Sequence, residues 1–170
     1  ILYTKAGGLD SIAIEKFEET IPGPGEVRVR VSRAGINFAD LMMRQGLYGS
    51  APDFPFTPGY EASGVISAIG EGVEGLEVGQ RVLAMTGFGG YSQSVQISAD
   101  RAIPIPNEMS HDAAASLGVT YGTAYHMLVH LGNLRAGDSV LIHHAAGGVG
   151  TAAAQICHAY GATNLIGTAS

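Results

Sequence analysis

The most constraining stretch of this chain is His143-His144-Ala145-Ala146-Gly147-Gly148-Val149-Gly150-Thr151-Ala152-Ala153. An apolar segment that reads as a strand, Ser139 to His143, leads into it, and helical spacing follows from about Val149 to Tyr160, stopped by Gly161. Gly148, Gly150 and Ala153 stand as Gly-x-Gly-x-x-Ala. Missing Cβ atoms allow a tight turn and a close approach of a pyrophosphate to the backbone, while a helix N-terminus offers N–H groups to negative charge. Ala153 lets the helix pack on the strand. With a second strand at Asn164 to Thr168, the segment forms one βαβ unit, expected to be parallel and right-handed. A glycine motif alone also fits a purely structural turn; between a strand and a helix it points to a dinucleotide.

A cofactor with a free ribose hydroxyl usually meets an Asp or Glu at the end of the second strand. Here that end reads Gly167-Thr168-Ala169-Ser170, without a carboxylate. A 2′-phosphate would meet no repulsion there and could hydrogen-bond to Ser170, so NADPH is favoured over NADH. The expected cofactor contacts are Ala146, Gly147, Gly148, Val149 and Gly150 around the diphosphate, with Thr168 and Ser170 at the ribose end.

Charge divides the chain. Residues 1–112 carry eight basic and fourteen acidic side chains, residues 113–170 only Arg135 and Asp138. We therefore expect two domains, 1–112 with its own wetted surface and 113–170 buried on most sides. In the first, Val27, Val29 and Val31 alternate with Arg28 and Arg30 over Glu26 to Val31, and further strands are expected at Ala62 to Ile69, Arg81 to Ala84 and Ser92 to Ile97. Turn-rich pieces separate them, and a compact, partly open β-barrel is the natural architecture. One helix, from about Phe38 to Gln45, interrupts it. A second is expected from its Ser110 cap to about Leu131.

Composition excludes several classes. The chain is 46% apolar and 14% charged, which describes a folded protein rather than a disordered one. A net charge of −6 with scattered cations argues against nucleic acid. Ala113 to Leu134 lacks Asp and Glu, Lys and Arg, but its Ser, Thr, His and Gly residues favour a buried helix over a membrane span. The single Cys157 allows no internal disulfide, which suits a reducing, cytoplasmic compartment, and a buried thiol in mid-helix is its default reading.

The stretch Gly137-Asp138-Ser139-Val140-Leu141, the glycine run and Gln155 resemble the signature of quinone oxidoreductases related to zeta-crystallin, in the medium-chain dehydrogenase/reductase superfamily. Ala34-Gly35-Ile36-Asn37-Phe38-Ala39-Asp40, Arg44-Gln45-Gly46-Leu47-Tyr48 and Thr57-Pro58-Gly59 resemble the same family, with a flavour of its vesicle amine transport homologues. His158 departs from the family pattern. The resemblance implies an α/β fold in which a GroES-like barrel precedes the first half of a Rossmann doubly wound parallel sheet. It also implies NADPH between the two, a homodimer when full length, and reduction of quinones or conjugated carbonyls. Family members are longer and return to the barrel, so the chain is expected to be part of a longer enzyme.

Zinc-dependent relatives place Cys where this chain has Asn37, and Gly-His-Glu where it has Gly59-Tyr60-Glu61. Amide and phenol bind zinc poorly, so no catalytic zinc is expected. Without a Lewis acid the acceptor must itself be electrophilic, as quinones and enones are. By resemblance Asn37, Tyr48 and Thr120 face the nicotinamide: Asn37 as an amide donor, Tyr48 as a donor to the acceptor oxygen, Thr120 positioning the ring. Each has a structural alternative, in a turn, a loop cover and a helix respectively. Tyr60 and Glu61 read as structural remnants of the metal position. His126 and His130, one helical turn apart, read as packed rather than metal-binding, and His143 and His144 are expected on opposite faces of their strand. An enoyl-thioester reductase, or a weakly catalytic NADPH-binding protein serving a partner, would share these residues.

Overall fold

The computed structural model describes residues 1–169, so the expectation for Ser170 lies outside the described residues. The chain forms two compact units, Ile1–Ser116 and the segment from Leu117 onward.

In the first unit a short antiparallel pair, β1 (Leu2–Tyr3) and β2 (Ile12–Ala13), precedes β3 (Glu26–Ala34), α1 (Phe38–Arg44), β4 (Glu61–Ile69), β5 (Arg81–Met85), β6 (Ser94–Ser98), β7 (Ala102–Pro104) and the single turn α2 (His111–Ala114). Strands β3 to β7 make one antiparallel sheet in the order β6-β3-β4-β5-β7. The period-two pattern explains its inner face: Val27, Val29, Ile66, Val82 and Ala84 are fully buried and pack with Ile97 and Ala102. Register shifts at Arg28/Val29 and Val31/Arg33 bend the sheet, as extra residues in a ladder do.

The expected barrel is not closed. The sheet curls as a half-barrel whose edge strands β6 and β7 are not neighbours. Only three residues of β7 pair with β5, and Pro104 has no N–H to extend the ladder. A second cluster, Tyr3, Met43 and Phe56, joins α1 to the first strand pair.

The expected helix from Ser110 to Leu131 is divided. The Ser110 hydroxyl caps α2 by accepting the Ala113 N–H at 3.1 Å. Four residues later the turn ends, because the N–H and hydroxyl of Ser116 both donate to the Ala113 carbonyl, at 3.1 and 2.8 Å. A serine that bonds back in this way competes with helix continuation.

The second unit starts with α3 (Gly118–Tyr125), whose last turn widens into a π segment, His126–Leu131. There the Gly132 N–H reaches the Met127 carbonyl, five residues back, at 2.8 Å. Strand β8 (Ser139–Ile142), helix α4 (Gly148–Ala159) and strand β9 (Asn164–Gly167) follow, with β8 and β9 parallel as expected. The core here is small: Ala124, Leu134, Ile142, Ala152, Ala153 and Cys157. Leu141, Leu165 and Ile166 of the strands and Tyr125 and Met127 of the helix are exposed. Among the described residues no helix is long and apolar enough to cross a membrane.

Candidate functional site

Strand β8 ends at Ile142, one residue before the expected end, because the chain turns. His144 adopts a left-handed backbone (φ 56°), unusual for a residue with a Cβ. His143 and His144 therefore do not alternate across a strand. The His143 Nδ1 lies 3.1 Å from the Thr168 hydroxyl, while the His144 ring lies over Gly147, where a Cβ would meet its Cδ2 at 2.5 Å. Two backbone bonds lock the ends of β8 and β9 together: Thr168 N–H to Ile142 at 2.9 Å and Ala145 N–H to Thr168 at 2.8 Å.

The loop then folds onto itself. Gly150 is buried, and a Cβ there would sit 2.4 Å from the His144 carbonyl oxygen, which is backbone and cannot step aside. Gly150 thus serves the loop's own close packing, where the motif led us to expect an approach by the pyrophosphate. Ala146 and Gly148 are exposed. The Thr151 N–H reaches Gly147 at 2.8 Å, so the amides of Gly148, Val149 and Gly150 occupy the first turn, where no intrahelical carbonyl is available to them. No acidic side chain occupies that turn. Thr120 borders it, its methyl 3.2 Å from the place of a Cβ on Gly148. A bare, exposed helix end with no carboxylate on Gly167, Thr168 or Ala169 suits a phosphorylated, anionic ligand. These residues fit a nicotinamide dinucleotide phosphate.

In the first unit the arrangement centres on Asn37. It precedes α1 in extended conformation, and its backbone N–H donates to the Asp40 carboxylate at 2.8 Å. Its side-chain amide donates to Glu61 Oε1 at 3.0 Å. Both carboxylates are 1% exposed. The Tyr91 hydroxyl donates to the same Asp40 oxygen at 2.9 Å, and the other oxygen, Oδ1, is buried without a hydrogen-bond partner. Burial, then the bond to Asp40, pushes the Tyr91 phenol well above its ordinary range.

Tyr48 is 36% exposed on the loop after α1. Tyr60 stacks obliquely on Phe88 at 5.4 Å, and its phenol is pushed up to about 12 by burial and then by its hydrogen bond with Tyr48. The two phenols are therefore neighbours, although they are twelve positions apart.

The structure thus brings Asn37 to Glu61, Tyr48 to Tyr60, and Thr120 to the glycine loop. The Asn37–Glu61 and Asp40–Tyr91 pairs and the His143–Thr168 contact were missed in the sequence. One signal was present: Glu61 is the only charge between Tyr60 and Gly70, in a strand rich in apolar residues. The His126 and His130 rings pack 5.6 Å apart, with His130 edge-on to Tyr125 at 5.4 Å. No group of three or more His, Cys, Asp or Glu that could hold a metal occurs among the described residues. Cys157 is fully buried and its thiol is pushed up by that burial.

Residues 23–107 match the family model of the alcohol dehydrogenase GroES-like domain, which defines the class of the first unit. The synaptic vesicle membrane protein VAT-1 homolog of Rattus norvegicus is 44% identical over all of this chain and 43% of its own length. The crystal structure of the human VAT-1 homolog-like protein superposes with a TM-score of 0.96 at 39% identity, over 99% of this chain and 55% of that one. Escherichia coli quinone oxidoreductase complexed with NADPH gives 0.91 at 36% identity, over 99% and 51%. The chain belongs to the medium-chain dehydrogenase/reductase superfamily, in the branch of the VAT-1 homologues and quinone oxidoreductases. It spans less than half the length of the curated VAT-1 relatives it matches.

Proposed function

We propose that this chain serves a zinc-independent, NADPH-dependent reductase of quinones or other conjugated carbonyls. The reading rests above all on the loop from His144 to Thr151, whose first-turn amides lack intrahelical partners and whose first turn has no acidic side chain, as suits a diphosphate. Ala146 to Gly150 wrap the diphosphate, the N–H groups of Gly148 and Val149 facing it while Gly147, bonded to the His144 carbonyl, and buried Gly150 shape the loop. Thr168, with His143 beside it, lies toward the ribose end, where the missing carboxylate favours the 2′-phosphate. The bound coenzyme supplies a hydride.

The other roles fall to side chains. Thr120 positions the nicotinamide. Asn37 lines the pocket with its amide, and Tyr48, in its pair with Tyr60, donates a hydrogen bond to the oxygen that gains charge on the acceptor. Asn37 and Tyr60 stand where zinc enzymes of this superfamily hold Cys and His, and an amide and a phenol are poor zinc ligands. The acceptor must then bring its own electrophilicity. A soluble, cytoplasmic homodimer is the assembly we propose.

Calorimetry with NADPH and NADH tests the first half: NADPH should bind at least tenfold more tightly. Loss of reduced-nicotinamide absorbance with a quinone, an enone and an enoyl thioester tests the second. Oxidation only with the thioester would move the assignment to an enoyl reductase. Tight NADPH binding without acceptor-dependent oxidation would indicate a partner-binding protein.

A further inference from the structure

Two buried carboxylates converge on one asparagine. Asp40 holds the backbone N–H of Asn37, Glu61 holds its side-chain amide, and each acid is 1% exposed. Burying a carboxylate is costly unless its bonds are well made. The fold also makes room for this one. A Cβ on Gly35 would lie 2.5 Å from Glu61 Oε1 and 2.3 Å from the Ala115 carbonyl oxygen, so glycine at position 35 is what lets the carboxylate reach Asn37.

We propose that Glu61 is a positioning residue that sets which way round the Asn37 amide faces the reacting molecules. The Glu61 oxygen accepts from the NH2 end of the amide at 3.0 Å. The amide oxygen faces the Asp40 backbone N–H in the capping box of α1, so the pocket is offered the second N–H in a fixed place, on an amide that cannot flip. Such fixed dipoles help a reaction because they need no reorganisation when charge develops. The partner class is a ligand whose oxygen gains charge and accepts the second N–H. This inference rests on the reading that Asn37 lines the nicotinamide pocket.

The test uses Glu61→Gln, Asn37→Asp and the double variant, read by thermal midpoint, pH profile and the split between kcat and KM. Glutamine keeps the size of Glu61 but accepts or donates, so one of the two anchors of the amide is no longer dictated; kcat should fall about tenfold with little change in KM or midpoint. Asn37→Asp sets two carboxylates against each other, which must share a proton. Its pH–rate profile should gain an ionisation that the parent lacks. The double variant restores an amide-to-carboxylate hydrogen bond with the roles exchanged, so midpoint and flat profile should return while kcat stays low, since the carboxylate introduced by Asn37→Asp has no N–H to give. The proposal is overturned if Glu61→Gln changes only the midpoint, or if Asn37→Asp gains no ionisation. Failure of the parent protein to bind or oxidise NADPH would instead sink the functional reading, and a separate measurement decides the orientation: the Asn37 side-chain amide resonance should shift in Glu61→Gln, and an unmoved resonance overturns it.

Discussion

The two units bury their cores by opposite means. The half-barrel fills its interior with branched side chains, Val27, Val29, Ile66 and Val82, each fully buried on alternate positions of twisted strands. The βαβ unit brings α4 close to its strands with Ala152, Ala153 and Gly150, and leaves much larger side chains on its surface. One core depends on volume being present, the other on volume being absent. The first should be broken by truncation and the second by enlargement.

That contrast orders the expected effects. Ile66→Ala should destabilise the first unit by about 2–5 kcal/mol, measured by chemical unfolding, because the rigid sheet cannot collapse into the cavity. Ala152→Leu should cost the second unit about 1–3 kcal/mol through overpacking, whereas Ile66→Leu in the first should cost less than about 1.5 kcal/mol. Equal losses from both would end the comparison. Gly150→Ala forces the loop away from the His144 carbonyl and should weaken NADPH binding about tenfold or more by calorimetry.

Surface electrostatics should matter least. Arg33 pairs with Asp112 through exposed side chains, and Asp112→Ala should change stability by no more than about 1 kcal/mol. His111 sharpens the comparison through pH. Its Nδ1 lies 2.8 Å from the Ser63 hydroxyl, which donates to the Val82 carbonyl, so His111 must be the donor there. Burial first, then Arg81 and Arg33, lower its pKa below the ordinary 6.5. The unfolded chain takes up that proton more readily. Stability linked to His111 is therefore intact above about pH 6.5 and falls as pH drops toward the folded-state value. His111→Gln should flatten that slope in thermal midpoints of the first unit and leave the second unit unchanged.

The longer strands of both units were legible because alternation and β-branched content are local properties, whereas β1, β2 and β7, of two or three residues each, are too short to show a period. How far the expected, partly open barrel opens was not legible, since it depends on whether β6 and β7 meet, and no residue states that. The split at Ser116 escaped for a similar reason: Ala113 to Leu117 is compatible with a helix, and the break arises from one hydroxyl bonding backward. At the site, the glycine spacing announced the loop, but the left-handed turn at His144 was hidden by a residue type that seldom takes it. Glu61 was read only as a remnant of the metal position, just before a strand expected to begin at Ala62. Its partner was not legible, because the bond to Asn37 spans twenty-four positions and exists only once the sheet has formed.

The seclusion of Cys157 has a practical side. A thiol packed inside α4 and held protonated is a poor target for maleimide or iodoacetamide dyes. A cysteine introduced at an exposed site such as Leu47 or Gln155 would then take up label alone, and the fluorescence or spin signal would report one chosen place without removal of the native sulfur.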